Sequence, residues 1–228
     1  MTKEERLQKE EERLKGMYSY EEEISEGYDF VFGIDEAGRG PLCGPVCAAC
    51  CILPRDIFIP YLNDSKKLSE KRREEVYETV IKEALGYGIG FADNNRIDEI
   101  NILNATYEAM NDAYLSCLSM LSERGTPVEL MAPGTLILVD GNKTVPWIKL
   151  PQKAVVSGDA KCPSISAASC LAKVSRDRLL YEYDRLYPGY GFASHKGYGT
   201  KEHIDALKKL GPLPIHRMSF IKKFIEER

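Results

Sequence analysis

The stretch Phe30-Val31-Phe32-Gly33-Ile34-Asp35-Glu36-Ala37-Gly38-Arg39-Gly40-Pro41-Leu42-Cys43-Gly44-Pro45 decides how this chain is read. Its first five residues form an apolar run that predicts a buried strand, and the run stops at an acid, Asp35, with a second acid beside it. Between Glu36 and Pro45 stand Gly38, Gly40 and Gly44 with Pro41 and Pro45, the composition of a tight turn. Apolar character returns over residues 46–53 as a second strand of small residues.

Outward from this stretch the pattern recurs. Residues 136–139 read as another buried strand ending in a carboxylate, Asp140, and residues 154–157 as a third apolar run stopping before Gly158-Asp159. Ser69 caps a predicted helix to residue 85, and residues 87–92 alternate like a strand. A long helix is expected from near Ile97, where Ile97, Ile100, Tyr107, Met110, Tyr114, Cys117 and Leu121 recur at helical spacing. Residues 123–134 read as a loop, 164–187 as a helix, 188–199 as a glycine-rich loop, with helices again over 200–210 and at the C-terminus. Strands alternating with helices predict an α/β domain built on a central sheet. Residues 1–28 read as a charged helical extension opened by Thr2-x-x-Glu5, with Leu7 and Leu14 one heptad apart and Gly16 and Gly27 bracketing a linker. The domain is expected over 29–228, its basic C-terminal helical segment starting near residue 188.

The chain has 228 residues, with 31 Lys and Arg against 35 Asp and Glu. A net charge of −4 argues at first against nucleic acid. Its placement reverses the argument: residues 1–28 hold nine Glu against five basic residues, the remaining 200 are balanced, and beyond residue 170 the balance is +5. No apolar run approaches the ~18–20 residues of a membrane helix, and the charged start does not resemble a signal peptide, so a cytoplasmic location is expected. Short apolar patches give no push towards an obligate oligomer, so a monomer is expected. Seven cysteines without an export signal argue against a disulfide framework. Cys47-x-x-Cys50-Cys51 lacks the second ligand pair of a structural zinc site and reads as small apolar residues of a buried strand.

Any one acid at a strand end is explained by a turn or a helix cap. Asp35, Glu36, Asp140 and Asp159 together are not, because the ends of central strands lie side by side and ligands bind beyond them. Converging carboxylates repel one another and need cations, and all-oxygen donors select hard ions such as Mg²⁺ or Mn²⁺. The implied chemistry is metal-assisted phosphoryl transfer, one ion activating water and another stabilising the leaving oxygen. Gly38-Arg39-Gly40 lets backbone N–H groups approach a substrate, and Arg39 can fork onto a phosphate. Asp64-Ser65-Lys66-Lys67 offers hydroxyl and ammonium donors, and His195-Lys196-Gly197-Tyr198-Gly199 puts Lys196 and Tyr198 in a glycine loop, a pairing suited to nucleic acid.

Taken in order, Gly33-Ile34-Asp35-Glu36-Ala37-Gly38-Arg39-Gly40-Pro41, Asp64-Ser65-Lys66, Val139-Asp140-Gly141-Asn142 and Ser164-Ile165-Ser166-Ala167-Ala168-Ser169 resemble bacterial ribonuclease HII. The resemblance continues through Ala172-Lys173-Val174-Ser175-Arg176-Asp177, His195-Lys196-Gly197-Tyr198-Gly199-Thr200 and Gly211-Pro212-Leu213-Pro214-Ile215-His216-Arg217, covering roughly residues 29–220. It implies the ribonuclease H-like fold, a mixed central sheet flanked by helices with additional C-terminal helices. It also implies an endonuclease that cuts the RNA strand of RNA–DNA hybrids and single ribonucleotides in duplex DNA, 5′ to the ribonucleotide, leaving a 3′-hydroxyl and a 5′-phosphate. Within it Asp35, Glu36, Asp140 and Asp159 match the acids that hold Mg²⁺ or Mn²⁺. Gly38, Arg39 and Gly40 match the turn that meets the ribonucleotide around its 2′-hydroxyl, the group that distinguishes RNA from DNA. Tyr198 matches the tyrosine that stacks on the neighbouring deoxyribose, and Ser65 and Lys66 would hold the DNA backbone. Ribonucleotide excision repair is the setting such an activity implies.

Asp177 is expected in a structural ion pair within its helix, His216 in a hydrogen-bonding role, and the single tryptophan, Trp147, against the core or an edge. Ser166 and Cys170 depart from the family's Ala and apolar residue and should alter packing more than chemistry. The 123–134 loop reads as a surface insertion. Two alternatives stand beside this reading. Ribonuclease HIII shares the acids but carries Asp-Glu-Ser-Gly-Lys-Gly and a larger N-terminal domain, and a silent hybrid-binding module would have no use for repelling acids.

Overall fold

Phe30–Ala37 (β1) lies at the centre of a five-stranded sheet with Val46–Ile52 (β2), Gly86–Ala92 (β3), Thr135–Asp140 (β4) and Gln152–Val155 (β5), in the order β3-β2-β1-β4-β5. The computed structural model describes residues 2–127 and 131–225; the middle of the 123–134 loop and the Leu7 side chain lie outside the described residues. β2 runs antiparallel to β1 and β3, while β4 is parallel to β1 and β5 to β4, so the sheet is mixed. β1 continues past its expected end at Asp35, because Asp35 and Glu36 still pair with Ala49 and Ala48 of β2.

Alternation along the strands supplies both faces. Phe32, Ile34, Val46, Ala48, Cys50 and Val139 enter one core, covered by the helix Asn94–Glu123 (α3). Cys47, Ala49 and Cys51 enter the other, with Ala167, Ala168, Cys170 and Leu171 of the helix Pro163–Leu186 (α4). The Cys47-x-x-Cys50-Cys51 run is therefore split between the two faces of the sheet, buried and free, as small apolar filling. A Cβ on Gly33 would lie 2.1 Å from the Ser164 carbonyl carbon, so α4 rests directly on β1 because position 33 has no side chain.

The long helix starts close to the expected position near Ile97 but is not continuous. Asp93 caps α3 at Asn94, and a break follows at Asn101 (φ +70°), whose carboxamide oxygen accepts the N–H groups of Leu103 and Asn104 and restarts the helix. The linker expected from Gly16 is also absent: Lys3–Ile24 (α1) runs straight through that residue, opened by the Thr2–Glu5 capping box. Burial of Leu14 and Met17 on either side of Gly16, among Ile59, Leu62 and Val76, outweighs the glycine's preference for a break. Ser69 caps Glu70–Glu83 (α2) as expected. The 188–199 loop holds one short helix, Phe192–His195 (α5), before Lys201–Leu210 (α6) and Met218–Ile225 (α7). Trp147 meets Tyr107 edge-on but is 48% exposed, less buried than an aromatic packed on the core. No helix among the described residues is long and apolar enough to cross a membrane.

Candidate active site

Ile34 and Val139 are the last pair between the two parallel central strands, so Asp35 and Asp140 follow as neighbours where β1 and β4 part. Glu36 follows on β1, and Asp159 sits in a 3₁₀ turn, Gly158–Ala160, just after β5. Asp140 Oδ1 accepts the N–H groups of Gly158 (2.7 Å) and Asp159 (3.3 Å), which fixes the fourth acid to the third. Asp35 is 4% exposed, accepts the Glu36 N–H at 2.7 Å and bonds to Ser169 of α4. Ser169 also bonds the Ser65 hydroxyl at 3.0 Å.

Burial, then the nearby Glu36 and Asp140 carboxylates, hold the Asp35 carboxyl well above its ordinary range. Burial raises Glu36 too, opposed by Arg39, whose guanidinium lies 3.3 Å from Glu36 Oε1. Asp159 is pushed up to about 6 by burial, then by Asp140 and Asp64. Burial works against the charge on Lys66, yet Asp35, Asp64 and Asp159 keep its ammonium above its usual value. Four carboxylates gathered at one end of the sheet, three of them raised by burial, and offering oxygen donors alone, fit hard divalent cations.

A cleft of about 640 Å³ opens beside the acids, within the ~300–1,000 Å³ span of ligand clefts. Glu36, Gly38, Arg39, Gly40, Ser65, Lys66 and Tyr198 all line it, so the fold brings together most of the residues singled out from the sequence. Lys196 stands apart. Its ammonium lies 4.0 Å from the centroid of the Tyr181 ring and donates to the Ala193 carbonyl. Arg73 and Lys173, not singled out, line the cleft instead. Arg73 also holds the 65–68 loop by donating to the carbonyls of Ser65 and Leu68.

Two arginines missed by sequence reasoning build the glycine turn. Arg217 donates to the carbonyls of Gly44, Arg39 and Gly38 at 2.9, 2.8 and 2.6 Å, and Arg176 to those of Pro45, Lys196 and Cys43 at 3.0–3.1 Å. Both are essentially fully buried. Gly38 has φ +94°, and a Cβ there would lie 2.0 Å from Arg176 Nε, so the turn is threaded against a guanidinium. A charge pattern could not reveal them, because their partners are backbone carbonyls rather than acids.

Asp177 forms the expected ion pair, with Lys173 at 2.6 Å. His216 serves in hydrogen bonding. Cys43, His203 and His216 bring potential ligand atoms within 4.8 Å, but the rings account for one another as neutral imidazoles. With His203 Nδ1 donating to the Tyr198 carbonyl (3.0 Å), its Nε2 accepts from His216 Nε2 (3.1 Å), and His216 Nδ1 accepts the Leu213 N–H (2.8 Å). Burial, with each ring opposing charge on the other, holds His216 down to about 4. Every ring nitrogen of the pair is used without an ion.

A family model described as Ribonuclease HII matches residues 32–223. The chain belongs to the ribonuclease HII family. It is 50% identical over 221 residues to ribonuclease HII of Caldanaerobacter subterraneus subsp. tengcongensis, covering 96% of this chain and 86% of that protein. Against ribonuclease HII of Clostridioides difficile it is 52% identical over 220 residues, covering 96% and 81%. The crystal structure of ribonuclease H2 from Pyrococcus horikoshii OT3 superposes with a TM-score of 0.63 at 26% identity, over 87% of this chain and 98% of that one. This ribonuclease HII family member therefore has the ribonuclease H-like fold and is a ribonuclease H endonuclease, which sets aside the ribonuclease HIII and silent-module readings.

Proposed function

We propose that this enzyme hydrolyses the RNA strand of RNA–DNA hybrids and cuts 5′ to single ribonucleotides in duplex DNA, with Asp35, Glu36, Asp140 and Asp159 holding Mg²⁺ or Mn²⁺. The observation that carries this is the parallel register placing Asp35 beside Asp140, directly before a glycine turn fixed by buried arginines. Bound hard cations supply activation of water and stabilisation of the leaving oxygen. The chain's own part is positional. Asp140 orients Asp159 through two backbone N–H groups, and Ser169 orients Asp35 while linking it to Ser65. The Gly38-Arg39-Gly40 turn presents backbone to the ribose, where a 2′-hydroxyl can be read.

Tyr198, 40% exposed beside Gly40, offers a face to the neighbouring sugar, and Lys66 and Ser65 offer donors to the DNA backbone. A phosphate contact from Lys196 requires its ammonium to leave the Tyr181 ring. Seven buried cysteines, none of them in a disulfide, support a cytoplasmic setting, and a role in removing ribonucleotides from DNA follows from the substrate. Incubation with a duplex containing one ribonucleotide, and with a long hybrid, each with and without Mn²⁺, tests the reading. Metal-dependent cleavage at the lone ribonucleotide is expected; cleavage confined to the long hybrid, or binding with no cleavage, would overturn it.

A further inference from the structure

A second cleft, of about 340 Å³, opens from the same acids in another direction. It shares Glu36 and Arg39 with the first cleft and adds Asp140, Asn142, Lys143 and Tyr107, whereas Tyr198 lines the first alone. The Tyr107 ring at its margin meets Trp147 edge-on, with centroids 6.5 Å apart and planes at 86°. Nearly half of Trp147 faces solvent, and Lys143 is exposed and paired with no described acid. The loop that carries Trp147 is held rigidly. Gln152 accepts the Val145 N–H at 2.9 Å and donates to the carbonyls of Val145 and Ile148 at 2.9 and 2.8 Å, while Val145 and Ile148 are buried on either side of the tryptophan.

An aromatic pair held in place with a free face, next to a cation paired with no described acid and continuous with a phosphodiester-cleaving centre, suits the backbone of one strand of a duplex: the ring faces pack against sugars, since the paired bases are turned inward, while the ammonium follows phosphates. We infer that Tyr107, Trp147 and Lys143 form a platform for the cut strand on the 5′ side of the ribonucleotide. The inference rests on the proposed nuclease function. With the ribonucleotide at the glycine turn and the acids acting on its 5′ phosphate, the preceding nucleotides leave the acids away from Tyr198, along the second cleft.

Trp147 is the single tryptophan, so its emission reports on the platform directly. The Asp35→Asn variant in Mg²⁺ is titrated with a duplex containing one ribonucleotide, following tryptophan emission and, in parallel, the anisotropy of a dye on the uncut strand. Emission should change in step with anisotropy. In a second duplex, whose cut strand ends at the ribonucleotide on its 5′ side while the complement continues, anisotropy should still rise and the emission change should be lost. Trp147→Ala should weaken binding roughly tenfold, and Trp147→Phe should restore most of it. A rise in anisotropy with unchanged emission overturns the platform alone. An emission change that survives truncation assigns the ring to the complementary strand and also overturns it. No rise in anisotropy overturns the nuclease reading and the platform with it.

Discussion

Asp35 combines a protein-like environment with a carboxylate that must be charged to work. Burial and two neighbouring acids oppose its ionisation, and without cations that opposition is a cost to the fold. Asp35→Asn should therefore abolish cleavage while raising the metal-free melting temperature. Mn²⁺ should stabilise the wild type more than the variant, as differential scanning fluorimetry with and without the ion would show. Ser166 presents the opposite case, a neutral hydroxyl buried with no partner in α4. Replacing it with Ala, the residue the family resemblance leads one to expect, removes an unsatisfied polar group. The Ser166→Ala variant should gain about 1 kcal/mol in urea unfolding with unchanged activity. Asp35 and Asp140 were legible in sequence because an acid after an apolar run has few structural excuses. Arg176 and Arg217 were not, since a guanidinium serving carbonyls leaves no complementary letter to find.

At the scale of elements, α1 does more than decorate the domain. Glu21 reaches across to the start of α4, accepting the Ser164 N–H at 3.0 Å and its hydroxyl at 2.7 Å, where the preceding Cys162 provides no side-chain cap. Desolvation, only partly offset by Ser164 and Arg55, raises Glu21 from 4.5 to about 7. Between those values the folded protein retains a proton that the unfolded chain releases, so stability falls as pH rises from about 4.5 to 7 and levels off above. Glu21→Gln should remove that part of the slope, worth at most roughly 3 kcal/mol because the carboxyl also borders a small water-accessible cavity. Paired urea titrations of both proteins across this range would measure it. Sequence patterning placed most helices and strands, but missed that α1 continues through Gly16 and that α3 breaks at Asn101. Both were settled by tertiary contacts: Leu14 and Met17 found a core, and Asn101 found two orphan N–H groups to cap.

For the whole molecule, net charge was the wrong quantity and its position the informative one. Lys66, Arg73 and Lys173 gather at one cleft, while the acidic excess rides on α1. Duplex affinity should fall with salt along a linear double-logarithmic slope, and Lys66→Ala should reduce that slope by about one, affecting all duplex sequences alike. Fluorescence anisotropy over a salt series checks this. The seven buried cysteines, spread over the glycine turn, β2, α3 and α4, have a different consequence. All seven thiols are buried, and burial pushes those of Cys43 and Cys170 up to about 12 and others further. The folded protein thus withholds the thiolate that an alkylating reagent requires. Under pulsed iodoacetamide labelling, intact-mass spectra should show molecules carrying no adduct or seven, with intermediate counts scarce. The buried cysteines become a built-in clock for how often the whole core opens.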